Sequence, residues 1–502
     1  MSNSGKESPG FSRGGVVKFF KNFRAIGDKL LIVEHDNGSD FYREVEMSPT
    51  IYTKGHGDFK TIYGESLKPV NFHSAKSARE FAKTLGSNAY GFDRFAYSEI
   101  HKLYGNDYDE TKIRGVFIDI ENAVDDAFPN IETADTPINC ITMYFMGTYF
   151  CYTTLDISEI ESEPNEKIWR LPSEKDLLIK FVSHWKAIKP DYVSGWNSTG
   201  YDLPYITKRI EVVLGKEAMR SLSPFGKINF NKEEVDGRVN HSVEIVGVSD
   251  LDFMVLYKKF RLITRESYKL GFIAEIELGE TKDELPGTFK EAYTNFPSQF
   301  VKYNIKDTKL VVDMEAKLSM IGLALSVAYV SKTNYADCLA NVRVWDVLIA
   351  NYLIDRNIAV PFQNLGGDDN GKYEGAFVKD PIRGKYEWVV SFDFESLYPR
   401  LIQTYNISPE TMITKDAWMK LRPSDIVNKT ELYQSAKTNA DRLDATLCGN
   451  GGLFSRKEVG FVPVLAEMMF NKRKDAKKQM LVYKKQLEEI EVEIKRRSSQ
   501  AT

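Results

Sequence analysis

The order of apolar and polar positions divides the chain into stretches with different predicted structures. Between residues 16 and 53, short apolar runs are separated by Gly, Asp and Asn, which is typical of strands joined by turns. A helix is predicted after Ser74, a residue type that caps helix N-termini, and Gly86 is placed to end it. From residue 114 to 320, strand-like segments such as RGVFIDIE alternate with helix-like segments such as SEKDLLIKFVSHWKAI. This alternation predicts an α/β layer domain.

Three further segments have clear patterns. KINFNKEEVDGRVNHSVEIVG is strand-like on both sides of Asp236-Gly237, which predicts a β-hairpin that turns there. In VVSFDFESLYP, residues 389–399, apolar residues lead to Asp393 and predict a strand that ends at this acid. From Pro463 to about Arg497 there is no Gly and there are many Lys and Glu residues, which predicts one long helix.

Composition bounds the class of protein. A chain of 502 residues is long enough for several domains, since a domain typically has about 100–200 residues. A hydrophobic fraction of 42% and a net charge of -4 are ordinary for a globular protein, and they neither require nor exclude nucleic acid. The four cysteines are Cys140, Cys151, Cys338 and Cys448. None belongs to a C-x-x-C pair, which disfavours structural zinc and a disulfide framework and favours a reducing compartment.

The ends and apolar runs of the sequence suggest a cytosolic location. Residues 1–15 are polar and rich in Gly and Ser, so we expect a disordered tail and not a signal peptide. The longest apolar run, LSMIGLALSVAYV, is too short to cross a bilayer, which needs about 20 residues. We therefore expect no membrane partner.

Acidic residues fall at three places in the α/β region. Asp119 and Glu121 in GVFIDIEN are two residues apart on a predicted strand and share one face, either as metal ligands or as an exposed strand end. Asp202 follows a Gly/Asn/Ser turn at a predicted helix start, where it is either a ligand or an N-cap. Tyr303 and Asp307 are four residues apart on a predicted helix, in a site or on a solvated face.

Together and in this order, the three motifs resemble those of the proofreading 3′–5′ exonucleases with four acids and a tyrosine. The resemblance implies two divalent cations about 4 Å apart. The implied metal ligands are Asp119, Glu121, Asp202 and Asp307. It also implies that Tyr303 holds the attacking water and that Asn197 lies near the bound strand. Tyr201 stands where many relatives have Phe.

A longer stretch, YEGAFVKDPIRGKYEWVVSFDFESLYPRLIQTYNISPET, resembles the nucleotide-binding motif of family B DNA polymerases in its T-even-like bacteriophage version. The resemblance extends to REVEMSPTIY and IYGESLKPVNF and covers nearly the whole chain after the tail. It implies that Asp393 binds both polymerase metals and that the Phe394 carbonyl binds one. Backbone amides near Ser396 and Leu397 would hold the triphosphate, and Tyr398 would lie under the sugar and exclude a 2′-hydroxyl.

The same resemblance concerns the predicted terminal helix. Arg473 and Lys477 share one of its faces, either as a solvated basic face or, as the family implies, as fingers residues that grip the triphosphate. Glu395 and Arg400 depart from the common family residues, and neither receives a role. The family has a second polymerase carboxylate in a later Asp-Thr-Asp hairpin, whereas Asp393 is followed by no apolar-D-x-D-apolar segment in this sequence.

We therefore expect a multidomain α/β and α+β protein. The expected parts are a disordered tail (1–15), an N-terminal domain (16–113, with a return segment 321–365), a ribonuclease H-like exonuclease domain (114–320), a partial palm (366–460) and a first fingers helix (461–502). The expected cofactors are Mg²⁺ or Mn²⁺, with two ions at the exonuclease site and two at the completed polymerase site.

The expected function is that of the N-terminal subunit of a split DNA-directed DNA polymerase in the cytoplasm of an infected bacterium. It would act on primer–template DNA, single-stranded 3′ ends and dNTP. A second chain would bring the remaining palm, fingers and thumb, and a sliding clamp would bind through that chain. The alternatives are a free-standing 3′–5′ exonuclease with a vestigial polymerase half, an RNA-binding translational regulator, and an artificial truncation.

Overall fold

The computed structural model describes residues 18–124, 129–157, 160–235, 238–362, 380–394 and 396–501. The chain divides into two compact units, which are treated separately. Within the described ranges, the first unit contains residues 18–61 and 66–362, and the second contains residues 62–65 and 380–501. The tail expected at residues 1–15, the Tyr-Glu-Gly-Ala segment and Glu395 lie outside the described residues.

The N-terminal part of the first unit is built from antiparallel strands and two helices. Its elements are β1 (Phe19–Ile26), β2 (Lys29–Asp36), β3 (Ser39–Glu46), β4 (Thr50–Lys60), β5 (Ser66–Asn71), α1 (Ala75–Leu85) and α2 (Phe95–Leu103). Strands β1, β2 and β3 form one sheet, and β4 pairs with β5. The prediction for α1 is confirmed, because the Ser74 hydroxyl accepts a hydrogen bond from the Ser77 amide at 3.0 Å and Gly86 ends the helix with a φ of 56°.

Strands and helices then alternate, as predicted. The elements are β6 (Gly115–Asn122), β7 (Ile138–Phe145), β8 (Thr148–Thr153), β9 (Glu166–Arg170), α3 (Glu174–Ile188), β10 (Tyr192–Ser194), α4 (Asp202–Leu214), α5 (Lys216–Arg220), β11 (Ile228–Val235), β12 (Arg238–Ile245), β13 (Ser249–Asp250), α6 (Phe253–Phe260), α7 (Leu270–Leu278), α8 (Phe289–Asn295) and α9 (Pro297–Leu318). The predicted hairpin is confirmed by the antiparallel pairing of β11 with β12, and its turn at Asp236-Gly237 lies outside the described residues.

A mixed sheet organises this region. Its strand order is β13-β10-β6-β7-β8-β9, with β6 parallel to β10 and antiparallel to β7. One face packs against α3 and α4 through a core that includes Ile118, Ile120 and Phe181. The other face packs against α9, where Val301 and Ile305 contact buried residues of β7 and β8. The two helical layers confirm the α/β prediction and place β6 next to α9.

The chain returns to the first strands after α9. Helices α10 (Met320–Ser331) and α11 (Asn341–Ile354) follow. The Tyr329 hydroxyl donates to the Phe20 carbonyl at 2.7 Å, and the Asn334 side chain bonds the Phe23 backbone at both its N–H and its carbonyl, at 2.9 and 2.8 Å. One apolar core joins residues of β1, α6, α9 and α10. Short 3₁₀ helices lie at Gly86–Asn88, Glu110–Lys112, Tyr335–Leu339 and, in the second unit, Lys415–Ala417.

The second unit is mainly helical. Its elements are α12 (Leu397–Tyr405), α13 (Pro423–Val427), α14 (Glu431–Arg442), β14 (Ala445–Leu447), β15 (Leu453–Ser455) and α15 (Phe461–Ala501). The long helix prediction is confirmed, although α15 begins at Phe461, before Pro463. Among the described helices of both units, none combines the length and the apolar character needed to cross a membrane.

The strand predicted at residues 389–393 is wrong. Residues 380–394 contain no strand, and none of the described strands pairs with them. A strand needs a neighbour that satisfies its backbone N–H and carbonyl groups, so an apolar pattern alone does not make one. Val389 and Phe392 are 78% and 91% exposed, so these two apolar side chains are also not packed against other described residues.

Candidate active site

The first two predicted acids lie together on β6. Asp119 and Glu121 are half-buried on one face of the strand, and Ile118 and Ile120 are buried on the other. This is the alternation expected for a strand between two layers. The apolar positions therefore anchor the strand, and the carboxylates project toward the layer that contains α9.

Asp202 contacts the same strand from the start of α4. Its Oδ1 accepts a hydrogen bond from the Ile120 amide at 3.1 Å, between the two β6 acids. That amide is free because β10 pairs with β6 only as far as Phe117. The N-cap alternative is wrong: Asp202 is the first helical residue, and Tyr201 occupies the cap position.

Helix α9 completes the acid cluster. Carboxylate oxygens of Asp119, Glu121 and Asp307 all lie within 4.8 Å of one another. Asp307 is buried, and its Oδ1 has no hydrogen-bond partner in the part of the chain that the structure describes. Tyr303 lies one turn earlier on the same helix, and its hydroxyl takes part in a hydrogen bond. Because Asp307 is buried, this face of the helix is not solvated, and the solvated-face alternative is wrong for the pair. The fold thus brings together the five residues of the three acidic motifs, namely Asp119, Glu121, Asp202, Tyr303 and Asp307.

Lys282 is a site residue that the sequence did not reveal. Its ammonium donates to Asp307 Oδ2 and, at 3.1 Å, to the Tyr303 hydroxyl, and it lies 5.0 Å from the centre of the Tyr303 ring. Lys282 comes from the loop between α7 and α8, in a polar segment with no local pattern. Only the tertiary fold places it here, so no sequence signal marks it.

Asn304 is the second residue that was missed. Its Nδ2 donates to Asp119 Oδ2 at 2.6 Å, and its Oδ1 accepts from the Cys140 thiol at 3.3 Å and from the Thr142 hydroxyl. Asn304 is fully buried. Asn304 lies on the same face of α9 as Asp307, three residues away. This spacing was the feature of the sequence that could have identified Asn304 as a site residue.

Burial and mutual repulsion raise the pKa of the clustered carboxyls. Burial, followed by the charges of Asp202 and Asp307, raises the pKa of Asp119 well above its usual range. Burial and then Asp307 raise the pKa of Glu121 to about 8, and burial raises the pKa of Asp202 to about 7. Burial is the largest effect on the pKa of Lys282 and would lower it, but Asp307, Tyr303 and Asp119 together outweigh burial and the net shift is upward. The cluster therefore favours the binding of positive charge.

The residues fit a hard divalent cation. Oxygen ligands from carboxylates are those that Mg²⁺ and Mn²⁺ prefer. Asp307 Oδ1 is buried and has no hydrogen-bond partner among the described residues, so it is available to a cation. One carboxylate oxygen from each of Asp119, Glu121 and Asp307 lies within 4.8 Å of the other two. One carboxylate oxygen of Asp202 accepts a hydrogen bond from the Ile120 amide.

A groove beside the cluster contains Asn197. This residue is exposed, has a φ of 65°, and its backbone N–H donates to Asp252 Oδ1 at 3.2 Å. The groove has a volume of about 640 Å³, and Trp196, Tyr268 and Lys282 also line it. An open groove with aromatic and basic side chains suits a single nucleic-acid strand.

The second unit brings two of the predicted nucleotide-binding residues together. Ser396 has a φ of 55° and precedes α12, so the amides of Ser396 and Leu397 lie at a helix start. Arg473 Nη1 on α15 donates to the Ser396 hydroxyl at 3.4 Å. Phe394 and Tyr398 are exposed.

Lys477 is also exposed on α15. Asp393 is exposed and belongs to no cluster of three or more potential metal ligands within the described residues.

Comparisons with known proteins decide the family. The family model for "DNA polymerase family B, exonuclease domain" matches residues 69–273. The family model for "DNA polymerase family B" matches residues 337–497. The chain belongs to the family B DNA polymerases. The first match contains Asp119, Glu121 and Asp202, and the second contains Asp393.

This family B chain is similar to two phage proteins along most of its length. It is 30% identical to the DNA-directed DNA polymerase of Escherichia phage RB69 over 93% of the chain and 54% of the relative. It is 28% identical to the DNA-directed DNA polymerase of Enterobacteria phage T4 over 95% of the chain and 55% of the relative. It is 26% identical to the DNA polymerase delta catalytic subunit of Plasmodium falciparum over 74% of the chain and 34% of the relative. The chain thus spans about half the length of the phage relatives.

Proposed function

We propose that the first unit is a two-metal 3′–5′ exonuclease that removes nucleotides from single-stranded DNA ends. The observation that carries the proposal is the convergence of Asp119, Glu121 and Asp307 within 4.8 Å, where one Asp307 oxygen has no hydrogen-bond partner among the described residues. Asp202 joins them through the Ile120 amide. The family membership supports the assignment, and we interpret the mixed sheet as the ribonuclease H-like layer expected for such a domain.

Each residue receives a role from its contacts. Asp119, Glu121, Asp202 and Asp307 would hold two divalent cations, which when bound supply an activated water and stabilise the leaving 3′-oxygen. Burial raises the pKa of Tyr303 to about 12, so its hydroxyl keeps its proton at neutral pH. That proton can be donated to a water while the oxygen accepts from Lys282 at 3.1 Å. Tyr303 therefore orients the water and does not act as a base.

The groove that contains Asn197 suggests the substrate. Trp196 and Tyr268 offer aromatic surface in this groove, and Lys269 offers positive charge. Lys282 also lines the groove and connects it to the acid cluster through its ion pair with Asp307. A single strand combines stacking bases with a phosphate backbone and fits such a wall. A duplex end would be a poorer substrate, because separating its bases costs a few kcal/mol.

A double substitution tests this function. Wild-type chain with Mg²⁺ or Mn²⁺ is expected to shorten a single-stranded DNA from its 3′ end. The Asp119→Ala/Glu121→Ala variant is expected to lose this activity, since the ligands that position the cations are gone. Glu163→Ala/Glu217→Ala removes the same charge from the surface of the same unit and serves as the control. Full activity in the first variant would refute the assignment.

We further propose that the second unit carries part of a nucleotidyl-transfer site for primer–template DNA and dNTP. Asp393 and the Phe394 carbonyl would bind Mg²⁺ or Mn²⁺. The amides of Ser396 and Leu397 would hold phosphate oxygens, since a helix start offers free N–H groups. Tyr398 would contact the sugar.

On α15, Arg473 and Lys477 would bind the triphosphate. The hydrogen bond between Arg473 and Ser396 supports this assignment, because it joins α15 to the start of α12.

This site needs further parts of the polymerase. Two carboxylates usually share the metals of nucleotidyl transfer, and Asp393 has no acidic cluster around it in the described residues. We propose that a second polypeptide supplies the other carboxylate together with the remaining palm, fingers and thumb, and that any sliding clamp binds through it. The phage relatives suggest that the assembly acts in the cytoplasm of an infected bacterium.

One observation favours a second candidate function, a free-standing exonuclease with a vestigial polymerase half. Trp388, Phe392 and Phe394 are 96%, 91% and 77% exposed and belong to no described strand, so the apolar side chains around Asp393 are not part of a core among the described residues. Addition of the remaining family B segments discriminates the two functions. Restored primer extension would support the split polymerase, and its absence would support the free-standing exonuclease.

A further inference from the structure

We propose that a second cavity of the first unit binds a single nucleotide, with its base against an apolar wall and its phosphate at Lys186 and Lys189. The cavity lies between the β1–β3 sheet and the C-terminal end of α3. The acids of the exonuclease cluster do not line it. The choice of a nucleotide over another aromatic anion rests on the proposed function, since a 3′–5′ exonuclease releases nucleoside monophosphates.

The shape of the cavity suits one planar group. Its volume is about 250 Å³. This is slightly below the range of about 300–1,000 Å³ that is usual for small-molecule pockets, so a base fits inside and a phosphate remains at the mouth. The apolar wall is formed by Val33, Trp185, Leu222, Pro224 and Val248. Trp185 is held in place by a hydrogen bond of 2.9 Å from its indole N–H to the Leu222 carbonyl.

The charges around the cavity favour an anion. Asp191 is the acid among the lining residues, and it is buried between Lys21 at 2.9 Å and Arg114 at 3.6 Å. These two cations also pair with Asp40, so together they balance the charges of both acids. Lys186 and Lys189 are exposed at the rim, and neither has an ion-pair partner among the described residues.

The rim also offers an aromatic surface. The Lys189 ammonium lies 5.7 Å from the centre of the Tyr42 ring. Because Tyr42 also lines the cavity, its ring can contact the base inside while the lysines bind the phosphate at the mouth.

Two sources of the same chemistry are possible, a free nucleoside monophosphate and a nucleotide within a strand. The mouth is open to solvent at Lys186 and Lys189, but the base would enter a recess that admits one ring system. A free monophosphate reaches such a recess without distorting neighbouring nucleotides. We therefore assign the site to the free monophosphate.

Calorimetric titration in EDTA tests the proposal, because no strand is hydrolysed without a divalent cation. The probes are dAMP, deoxyadenosine, inorganic phosphate and a dA oligonucleotide blocked at both ends. The variant is Lys186→Glu/Lys189→Glu, and Lys175→Glu/Lys216→Glu is a control with the same charge change on exposed lysines of the same region. Tyr42→Ala probes the aromatic side of the rim.

Wild type and the control are expected to bind dAMP saturably and more tightly than either deoxyadenosine or phosphate alone. The Lys186→Glu/Lys189→Glu and Tyr42→Ala variants are expected to bind it about tenfold more weakly or worse. Tighter binding of the blocked oligonucleotide than of dAMP, or equal binding of phosphate and dAMP, would overturn the assignment.

Two further results would overturn the assignment. One is unchanged dAMP binding in the Lys186→Glu/Lys189→Glu variant. The other is loss of dAMP binding in Asp119→Ala/Glu121→Ala, which would mean that dAMP binds at the acid cluster. A chain that binds dAMP in this way but degrades no DNA would contradict the proposed exonuclease and leave the cavity assignment standing.

Discussion

The Asn304 side chain donates a hydrogen bond to Asp119 Oδ2 over 2.6 Å and so joins helix α9 to strand β6 inside the acid cluster. The other end of the same amide accepts from the Cys140 thiol at 3.3 Å, which fixes its orientation. We expect Asn304→Ala to weaken Mn²⁺ binding and single-stranded DNA hydrolysis by about 10–100-fold, the usual effect of removing a group that orients a metal ligand. Calorimetry and a 3′-end hydrolysis assay measure the two quantities.

Asn139→Ala provides the control for this prediction. Asn139 is a buried asparagine of β7, but neither polar atom of its side chain has a hydrogen-bond partner among the residues that the structure describes. Its replacement should leave Mn²⁺ affinity within about twofold of wild type, because no metal ligand depends on it. Equal losses in both variants would mean that Asn304 acts only through packing.

Removal of the Tyr303 hydroxyl is expected to slow hydrolysis while cation binding persists. Tyr303→Phe keeps the ring but loses the group that Lys282 contacts at 3.1 Å. Loss of a positioned water typically slows a reaction by about 10–10³-fold. Single-turnover hydrolysis and Mn²⁺ titration separate the two effects, and an unchanged rate would assign Tyr303 to packing alone.

Lys282 is expected to stabilise the acid cluster when no divalent cation is bound. It supplies the positive charge next to Asp307, whose second oxygen has no hydrogen-bond partner within the described ranges. Lys282→Met should therefore lower the free energy of unfolding in EDTA at pH 8 by about 1–3 kcal/mol, and Mg²⁺ should recover most of that loss. Urea unfolding with EDTA and with Mg²⁺ gives both values.

Lys306→Met is the matched comparison for Lys282→Met. Lys306 also joins α9 to the loop after α7, through an ion pair with Glu280 that is more exposed. Lys306→Met should change the free energy of unfolding by less than about 1 kcal/mol, and Mg²⁺ should not alter this change. A similar Mg²⁺ response in the two variants would contradict a specific role for Lys282.

The raised carboxyl pKa values predict two pH effects. Burial and Asp307 raise the pKa of Glu121 to about 8, and burial raises the pKa of Asp202 to about 7. The folded, metal-free chain thus binds more protons than the unfolded chain between the ordinary carboxyl pKa and these values. Its stability in EDTA should therefore fall as pH rises through about 5 to 8.

Cation binding displaces the same protons, so activity at limiting Mg²⁺ should rise with pH over that range. The midpoint of the rise should move to lower pH as Mg²⁺ increases. Glu121→Gln should flatten the dependence of the unfolding temperature on pH in EDTA. A wild-type unfolding temperature that does not change with pH in EDTA would contradict the shifted pKa values.

Local periodicity predicted the parts of the exonuclease site that lie within one element. The two-residue spacing of Asp119 and Glu121 and the four-residue spacing of Tyr303 and Asp307 each follow from the geometry of a strand or a helix. Lys282 could not be predicted in this way, because it comes from an irregular loop and its position depends on how α7 and α9 pack.

The error at Asp393 has a related cause. The apolar pattern of residues 389–393 satisfies the rule for a strand, but a strand also requires a partner with free backbone groups. In contrast, α15 was predicted correctly because a helix satisfies its hydrogen bonds within itself. A single sequence therefore predicts least reliably those elements that depend on contacts between residues distant in sequence.

The final prediction concerns nucleotide addition. Asp393 has no acidic cluster around it among the described residues, and α15 exposes Met480, Tyr483, Leu487, Ile490 and Ile494 along one face at alternating spacings of three and four residues. That spacing is typical of a helix that packs against another helix. We therefore expect no primer extension by this chain by itself.

Addition of the remaining palm, fingers and thumb should restore extension, through an interface of more than about 2,000 Å², as obligate complexes usually have. In that complex, Asp393→Ala should abolish synthesis and keep 3′–5′ hydrolysis, whereas Asp119→Ala/Glu121→Ala should do the reverse, because the two sets of metal ligands are separate. Asp416→Ala, another acid of the second unit, is the control and should keep both activities. Measurable primer extension by the purified 502-residue chain would contradict the need for a second polypeptide.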